Sequence, residues 1–479
     1  MNIPALYEDI TREFPFEPTH EQAVAMSRLA AFVTDEGQRR AFILKGYAGT
    51  GKTAIISSLV RTLVKCRRKV VLMAPTGRAA KVFSNTSGFA ACTIHKKIYR
   101  QKSILDAGSF QLDRNMLENA VFMVDEASMI SNEGLSGTMF GSGRLLDDLI
   151  SYVFSGRNCS LLMLGDQAQL PPVGEHESPG LSAEMIRGYG VEVSEFCLEN
   201  VMRQEHESGI LYNATQLRNY TIDCTIAAGF RFKLDGFRDV VKISGSELIE
   251  TLSGCYSRDG IDETMVLCRS NKRAIVYNNG IRSTILDRED ELSRGDSIMI
   301  VKNNYYWTEK LLADEGADSY TNLPSFIANG DIAVIRRVRR MRELYGSRFE
   351  DAVLSFPDYD DLEMDVTLLM DTLHSESPSL TREESDKLFA AVMEDYADIP
   401  DKKEKMKKLR ENPHFNALQI KYAYAVTCHK AQGGQWKNIF IDQGYIPEEG
   451  RDEDYYRWLY TALTRATQTV YLVNWPDKL

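Results

Sequence analysis

Short apolar runs alternate with helix-like stretches over the first half of this chain. "AFIL" (41–44), "KVVLMA" (69–74), "AVFMV" (120–124) and "CSLLML" (159–164) are unbroken in hydrophobicity, as strands buried on both faces of a parallel sheet are. Each run ends in a polar or glycine-containing turn. Ligands of parallel α/β sheets bind at the carboxyl ends of strands, so the four ends predict one shared site.

A second set of runs reads as further α/β strands: "TMVLCRSN" (264–271), "YAYAVTCHKAQG" (422–433), "NIFID" (438–442) and "TVYLVNW" (469–475). About 150 residues separate the first of these from the second, more than a loop uses, and predict an inserted domain. Its first part, "GDSIMIVKNN…FIANGDIAVIRRVRR", is rich in β-branched residues and turn signals and predicts a small β-barrel. Its second part, about 361–414, is charged and reads as helical, with a capping box from Thr381 to Glu384.

Composition narrows the class. A chain of 479 residues should form several domains, because one core rarely serves beyond roughly 250–300 residues. The eight cysteines are scattered without a C-x-x-C pair. That argues against a disulfide scaffold or zinc site and for a reducing, cytoplasmic setting. "MNIPALYEDITREF" carries acidic residues and no apolar core, unlike a signal peptide, and no apolar run is long enough to span a membrane. The net charge of −11 weighs against nucleic-acid binding. Local basic runs, "KKIYRQK" (96–102), "RRVRRMR" (336–342) and "KKEKMKKLR" (402–410), weigh the other way, because a channel needs only local positive charge.

The chemistry begins with "GYAGTGKT", Gly46 to Thr53, between a strand and a helix. Gly46, Gly49 and Gly51 let the backbone turn tightly around Ala48 and Thr50, with N–H groups facing phosphates. Lys52, at the helix start, should reach the β- and γ-phosphates of ATP, and the Thr53 hydroxyl should ligate Mg²⁺. "VDEAS" (124–128) ends the next buried run with two carboxylates. Asp125 is set to hold Mg²⁺, usually through water, and Glu126 to orient the attacking water. "GDQAQLPPVG" (165–174) ends the following run. Gln167 and Gln169 are uncharged groups able to touch a γ-phosphate or a base, and Gln167 is the candidate assigned to catalysis. "LENVMRQ" carries Arg203 and "YTALTRA" carries Arg465, cations of the kind that phosphoryl transfer needs.

The ordered set GYAGTGKT, APTGRAAK, TIHK, VDEAS, GDQAQLPPVG, VMRQ, VTCHKAQGGQW and YTALTRA resembles a superfamily 1 helicase, more narrowly the RecD/Dda-like, 5′→3′ branch. The resemblance runs from about residue 20 to 470. It implies an α/β fold of two RecA-like domains with parallel sheets and ATP in the cleft between them, a small β-hairpin insertion in the first, and a β-barrel-like plus helical insertion in the second. The implied division is 1–95 with 120–210, a pin at 96–119, 211–286 with 416–479, and an insertion at 287–415. Arg203 and Arg465 would match the family arginines that reach the γ-phosphate, Gln22 in "EPTHEQ" the adenine-contacting glutamine, and Gln432 a cleft residue coupling nucleotide to strand. Pro75, Thr76, Thr93 and His95, with Thr427 and His429, would contact single-stranded DNA. Phe110, near the pin tip, would either stack on a duplex junction or pack into its own domain. One departure is visible: many relatives have Ser-Glu where this chain has Gly434-Gln435. The implied protein is monomeric in its core, acts on single-stranded DNA and duplex junctions, and has no membrane partner. An RNA helicase or RNP remodeller, a nucleic-acid-binding subunit with an idle ATPase, and a small-molecule kinase remain as alternatives. Intact Lys52, Asp125, Glu126 and Arg465 argue against the idle subunit, and the second arginine-bearing α/β domain argues against the kinase.

Overall fold

The structure, a computed structural model, describes residues 2–35, 37–101, 110–134, 141–201, 208–222, 230–315, 324, 326–447 and 450–476. Two compact units divide the chain: residues 1–243 with 431–439 and 445–479, and residues 244–430 with 440–444.

In the first unit the apolar runs become strands. They are β1 (Arg40–Gly46), β2 (Lys69–Ala74), β3 (Ala91–Thr93), β4 (Tyr99–Gln101), β5 (Phe110–Leu112), β6 (Ala120–Val124), β7 (Ser160–Gly165) and β8 (Glu192–Leu198). One sheet has the order β3-β2-β6-β7-β1-β8 with every neighbouring pair parallel. The four anticipated strands are its centre. β8, "EVSEFCL", escaped the sequence reading because an edge strand is only partly covered and its polarity is mixed. Helices Ile3–Glu13, His20–Thr34 and Lys52–Lys65 bury Leu6, Met26, Leu29, Ile56 and Leu59 against Phe42, Leu44, Met123 and Leu162. The order β6-β7-β1 sets the ends of three strands side by side, so Gly46, Asp125 and Asp166 share one edge.

The expected hairpin insertion is present as the antiparallel pair β4–β5. Residues 102–109, where the pin tip was expected, lie outside the described residues. Phe110 is only 9% exposed, so of its two readings the packed one applies here, and stacking on a junction would need it to leave its place.

In the second unit, Thr264–Cys268 pairs in parallel with Ala425–Thr427, and Ala466–Val473 of the first unit pairs in parallel with Val240–Ile243. The barrel expectation also appears: Ser297–Ile300, Ile332–Leu344, Ser347–Phe356, Leu362–Leu369 and Leu418–Tyr422 close on themselves. Two details differ from the sequence reading. Leu362–Leu369, read as the start of a helical stretch, is a strand, because "LEMDV" alternates buried and exposed positions. Leu418–Tyr422, which the implied division left outside the 287–415 insertion, closes the barrel. The helices Arg382–Glu394 and Lys402–Arg410 follow as expected, the first with its Thr381–Glu384 capping box. Leu388, Val392 and Leu409 seal them to Phe349 and Leu369. In "RRVRRMR", Arg336, Arg339 and Arg342 pair with Glu363, Asp365 and Asp351, which makes much of that run a neutralised face.

Candidate functional site

The loop after β1 turns through Gly49 (φ 77°) and Gly51 (φ 87°), a backbone region that side chains rarely enter. Gly51 caps the helix Lys52–Lys65, and a Cβ there would meet Gln22 Nε2 at 2.5 Å. Lys52 Nζ donates to the carbonyls of Gly46 and Tyr47, so its charge is folded along the loop. Gln22 is buried: its Oε1 accepts from Thr19 N at 3.1 Å and its Nε2 donates to Thr50 O at 3.0 Å. It braces the loop and caps its own helix.

Asp125 follows β6 and accepts from Glu126 N at 2.9 Å. Glu126 sits at φ 50°, an uncommon conformation for a side chain of its size. Burial raises the Asp125 carboxyl above its ordinary value, and the neighbouring Glu126 adds to the rise. Asp166 is 2% exposed and likewise raised by burial, although Tyr460 donates to it at 2.6 Å and Ala168 N at 2.9 Å. Arg465, 3% exposed, lies 3.7 Å from Glu126 and donates to Thr461 O at 3.3 Å and Gly434 O at 3.4 Å. All of these belong to the first compact unit. Lys52, Asp125, Glu126, Asp166 and Arg465 line a cavity of about 350 Å³ together with Ala48, Gly49, Thr53 and Gln169.

The two glutamines of "GDQAQ" part company. Gln169 lines this cavity, and its buried Oε1 has no hydrogen-bond partner among the described residues. Gln167 lines a neighbouring cavity of about 420 Å³, its amide donating to Tyr47 Oη at 2.9 Å. Of the two, Gln169 and not Gln167 lines the cavity that holds Lys52, Asp125, Glu126 and Arg465. Nothing in the string separates the two, since both are glutamines in one short loop. Tyr460 was also missed: its hydroxyl takes the Ala48 N–H at 2.9 Å, but within "YTALTRA" only the arginine carries an obvious charge. Gln432 is buried with its amide on Leu170 O at 2.7 Å. Arg203 lies outside the described residues.

The strand candidates are built differently. Thr76 Oγ1 accepts from Ala79 N and Thr93 Oγ1 from Lys96 N, both at 3.2 Å, so each hydroxyl caps a helix and keeps its own proton to donate. Pro75 precedes Thr76 at the end of β2, half-buried. Burial lowers the His95 ring from 6.5 to about 4, against a smaller opposing pull from Asp148. Thr427 ends a strand of the second unit, and His429 is exposed two residues on. Gly434, the departure from the family pattern, has a physical reason: a Cβ there would meet the Trp436 ring at 2.5 Å, and Arg78 stacks on that ring at 4.0 Å.

Comparison with known proteins gives two family matches, an "AAA domain" over residues 18–228 and a "UvrD-like helicase C-terminal domain" over 422–473. The ATP-dependent DNA helicase dda of Enterobacteria phage T4 is 24% identical over 58% of this chain and 62% of its own length. These matches support the reading of the chain as a superfamily 1 helicase of the RecD/Dda-like branch. The chain is also similar to the uncharacterized protein R530 of Acanthamoeba polyphaga mimivirus, 22% identical over 94% of this chain and 98% of that one. A Bacteroides Pif1 helicase, solved with ADP-AlF3 and ssDNA, is 15% identical over 96% of this chain and 93% of that one, with a TM-score of 0.46.

Proposed function

We propose that the chain is an ATP-driven DNA helicase that moves 5′→3′ along one strand and opens the duplex it meets. The observation that carries this is the gathering of Lys52, Asp125, Glu126, Gln169 and Arg465 around one cavity within a single compact unit. Three carboxyls and two cations there leave negative charge in excess, and the burial-raised Asp125 and Asp166 carboxyls support a cation as the missing partner. The oxygen donors Thr53 and Asp125 suit Mg²⁺, which when bound neutralises charge on the β- and γ-oxygens.

The chain's own groups then divide the work. Lys52 binds the phosphates at the loop. The Glu126 carboxylate orients the attacking water. Arg465, held by Thr461 and Gly434, meets the charge that grows on the γ-phosphate in the transition state. Gln169 offers its unpartnered oxygen or its amide to the same region. Thr76, Thr93 and His95 in one unit, and Thr427 and His429 in the other, grip the strand in turn. DNA as substrate rests on the name of the phage T4 relative, and the polarity rests on the branch. Two substrates of identical duplex, one with a 5′ and one with a 3′ single-stranded tail, test both under single-turnover conditions at low, fixed salt. The 5′-tailed duplex should open and the 3′-tailed one should not. Preferential opening of the 3′-tailed duplex would overturn the polarity and leave the motor reading intact.

A further inference from the structure

The loop that carries Gln169 is tied down residue by residue. Asp166 accepts from Tyr460 Oη at 2.6 Å. The carbonyls of Gln167 and Gln169 accept from Arg457 Nη1 at 2.9 and 3.5 Å. Leu170 N donates to Thr461 Oγ1 at 2.8 Å, and Leu170 O accepts from Gln432 at 2.7 Å. Arg457, Tyr460 and Thr461 stand at i, i+3 and i+4 on one helix, Glu453–Leu463, and so share a face. The loop is laid along that face. Immediately beyond Leu170 come Pro171 and Pro172, which have no N–H to offer.

The anchors are themselves fixed. The Thr461 hydroxyl donates to Arg457 O at 2.7 Å, which turns its lone pair toward Leu170 N. Arg457 is held by Glu453 at 2.8 Å. Two residues past the helix comes Arg465, whose Nε donates back to Thr461 O at 3.3 Å. One helix therefore sets the positions of both Gln169 and Arg465, a neutral and a cationic group on the nucleotide cavity.

We propose that Arg457 and Thr461 are positioning residues: the Glu453–Leu463 helix is a splint that holds Gln169 in fixed register with Arg465, so that the two act on the nucleotide as one unit. The inference rests on the nucleotide-hydrolysis reading above. A shift of about 1 Å at a reacting group costs about 10²-fold in rate, so loosening the loop should be felt in turnover before binding.

The test uses the full chain and measures kcat and KM for ATP with a saturating single strand, alongside the melting temperature. Thr461→Val keeps the shape and removes the hydroxyl; Thr461→Ser keeps the hydroxyl. Thr461→Val should lower kcat by about tenfold or more, with KM changed less than about threefold, and Thr461→Ser should restore most of the loss. Combined with Gln169→Ala, Thr461→Val should add no further loss, because both remove the same action. Arg457→Gln, on a half-buried side chain, supplies the same cycle if Thr461→Val does not fold. Unchanged kcat in the anchor variants, or losses that multiply with Gln169→Ala, would overturn the splint alone. Absence of ATP turnover in the unsubstituted chain would overturn the functional reading and the splint with it.

Discussion

Asp166 in the first compact unit and Asp296 in the second are both buried, at 2% and 0% exposure, yet their surroundings push them in opposite directions. Burial raises the Asp166 carboxyl. Burial would raise Asp296 too, but Arg282, Tyr424, Ser293 N and Arg288 donate to it and hold it below its ordinary value. Asp296 is matched twice over by arginines, at 3.0 and 2.6 Å, and its charge is closed. Around Asp166 the charge is open: Asp125, Glu126, Lys52 and Arg465 face a cavity, and among the described residues the one ion pair there, Arg465 to Glu126, is 3.7 Å long. Closed buried charge holds a fold together, whereas open buried charge marks a place where a charged ligand completes the count.

Substitutions on the two sides should separate cleanly. The largest effect belongs to the open side. Arg465→Ala should cut kcat for ATP by about 10³-fold or more while nucleotide affinity stays within a few-fold, since its charge acts in the transition state. A loss confined to affinity would assign Arg465 to binding instead. On the closed side, Asp296→Ala leaves the buried Arg282 and the half-buried Arg288 without their carboxylate and should cost about 3–5 kcal/mol of stability, read by denaturant unfolding. Asp166→Asn inverts this. A folded pKa raised above the unfolded one is a cost at neutral pH, so removing the charge should keep or slightly raise the melting temperature while lowering turnover. Equal destabilisation by the Asp166 and Asp296 variants would erase the contrast.

The smallest effect is at His95, a strand candidate. The unfolded chain takes up a proton near pH 6.5 that the folded ring refuses until about 4, so its contribution to stability is full above 6.5 and drains as pH falls through that window. His95→Gln should flatten the acid fall in melting temperature by about 2–4 °C between those limits. It also follows that His95 is neutral at pH 7 and meets a strand by stacking or hydrogen bonding.

What could be read from the chain follows the same line. Strings whose chemistry leaves no choice, "GYAGTGKT" and "VDEAS", were legible, as were the four central strands, because burial on both faces demands unbroken apolar runs. β8 and Leu362–Leu369 were harder: partial cover lets polar residues in, and a period of two in a charged stretch looks like a helix face. Gln169 and Gln167 differ only in which way a turn aims them. Thr76 and Thr93 stand among the expected strand contacts, and in the fold their hydroxyls cap helices, a role that depends on where each helix starts. Tyr460, Arg457 and Thr461 bind a loop some 290 residues away, a relation with no local signature.

The central claim is that the open charge cluster hydrolyses ATP in response to a nucleic-acid strand. Steady-state ATP hydrolysis measures this most directly, run without a strand, with single-stranded DNA and with single-stranded RNA of equal length, beside a Glu126→Gln control. The account predicts slow turnover alone, strong stimulation by DNA, weaker stimulation by RNA, and near-background rates for Glu126→Gln in every case. Turnover that ignores both strands, or that survives Glu126→Gln, would contradict it.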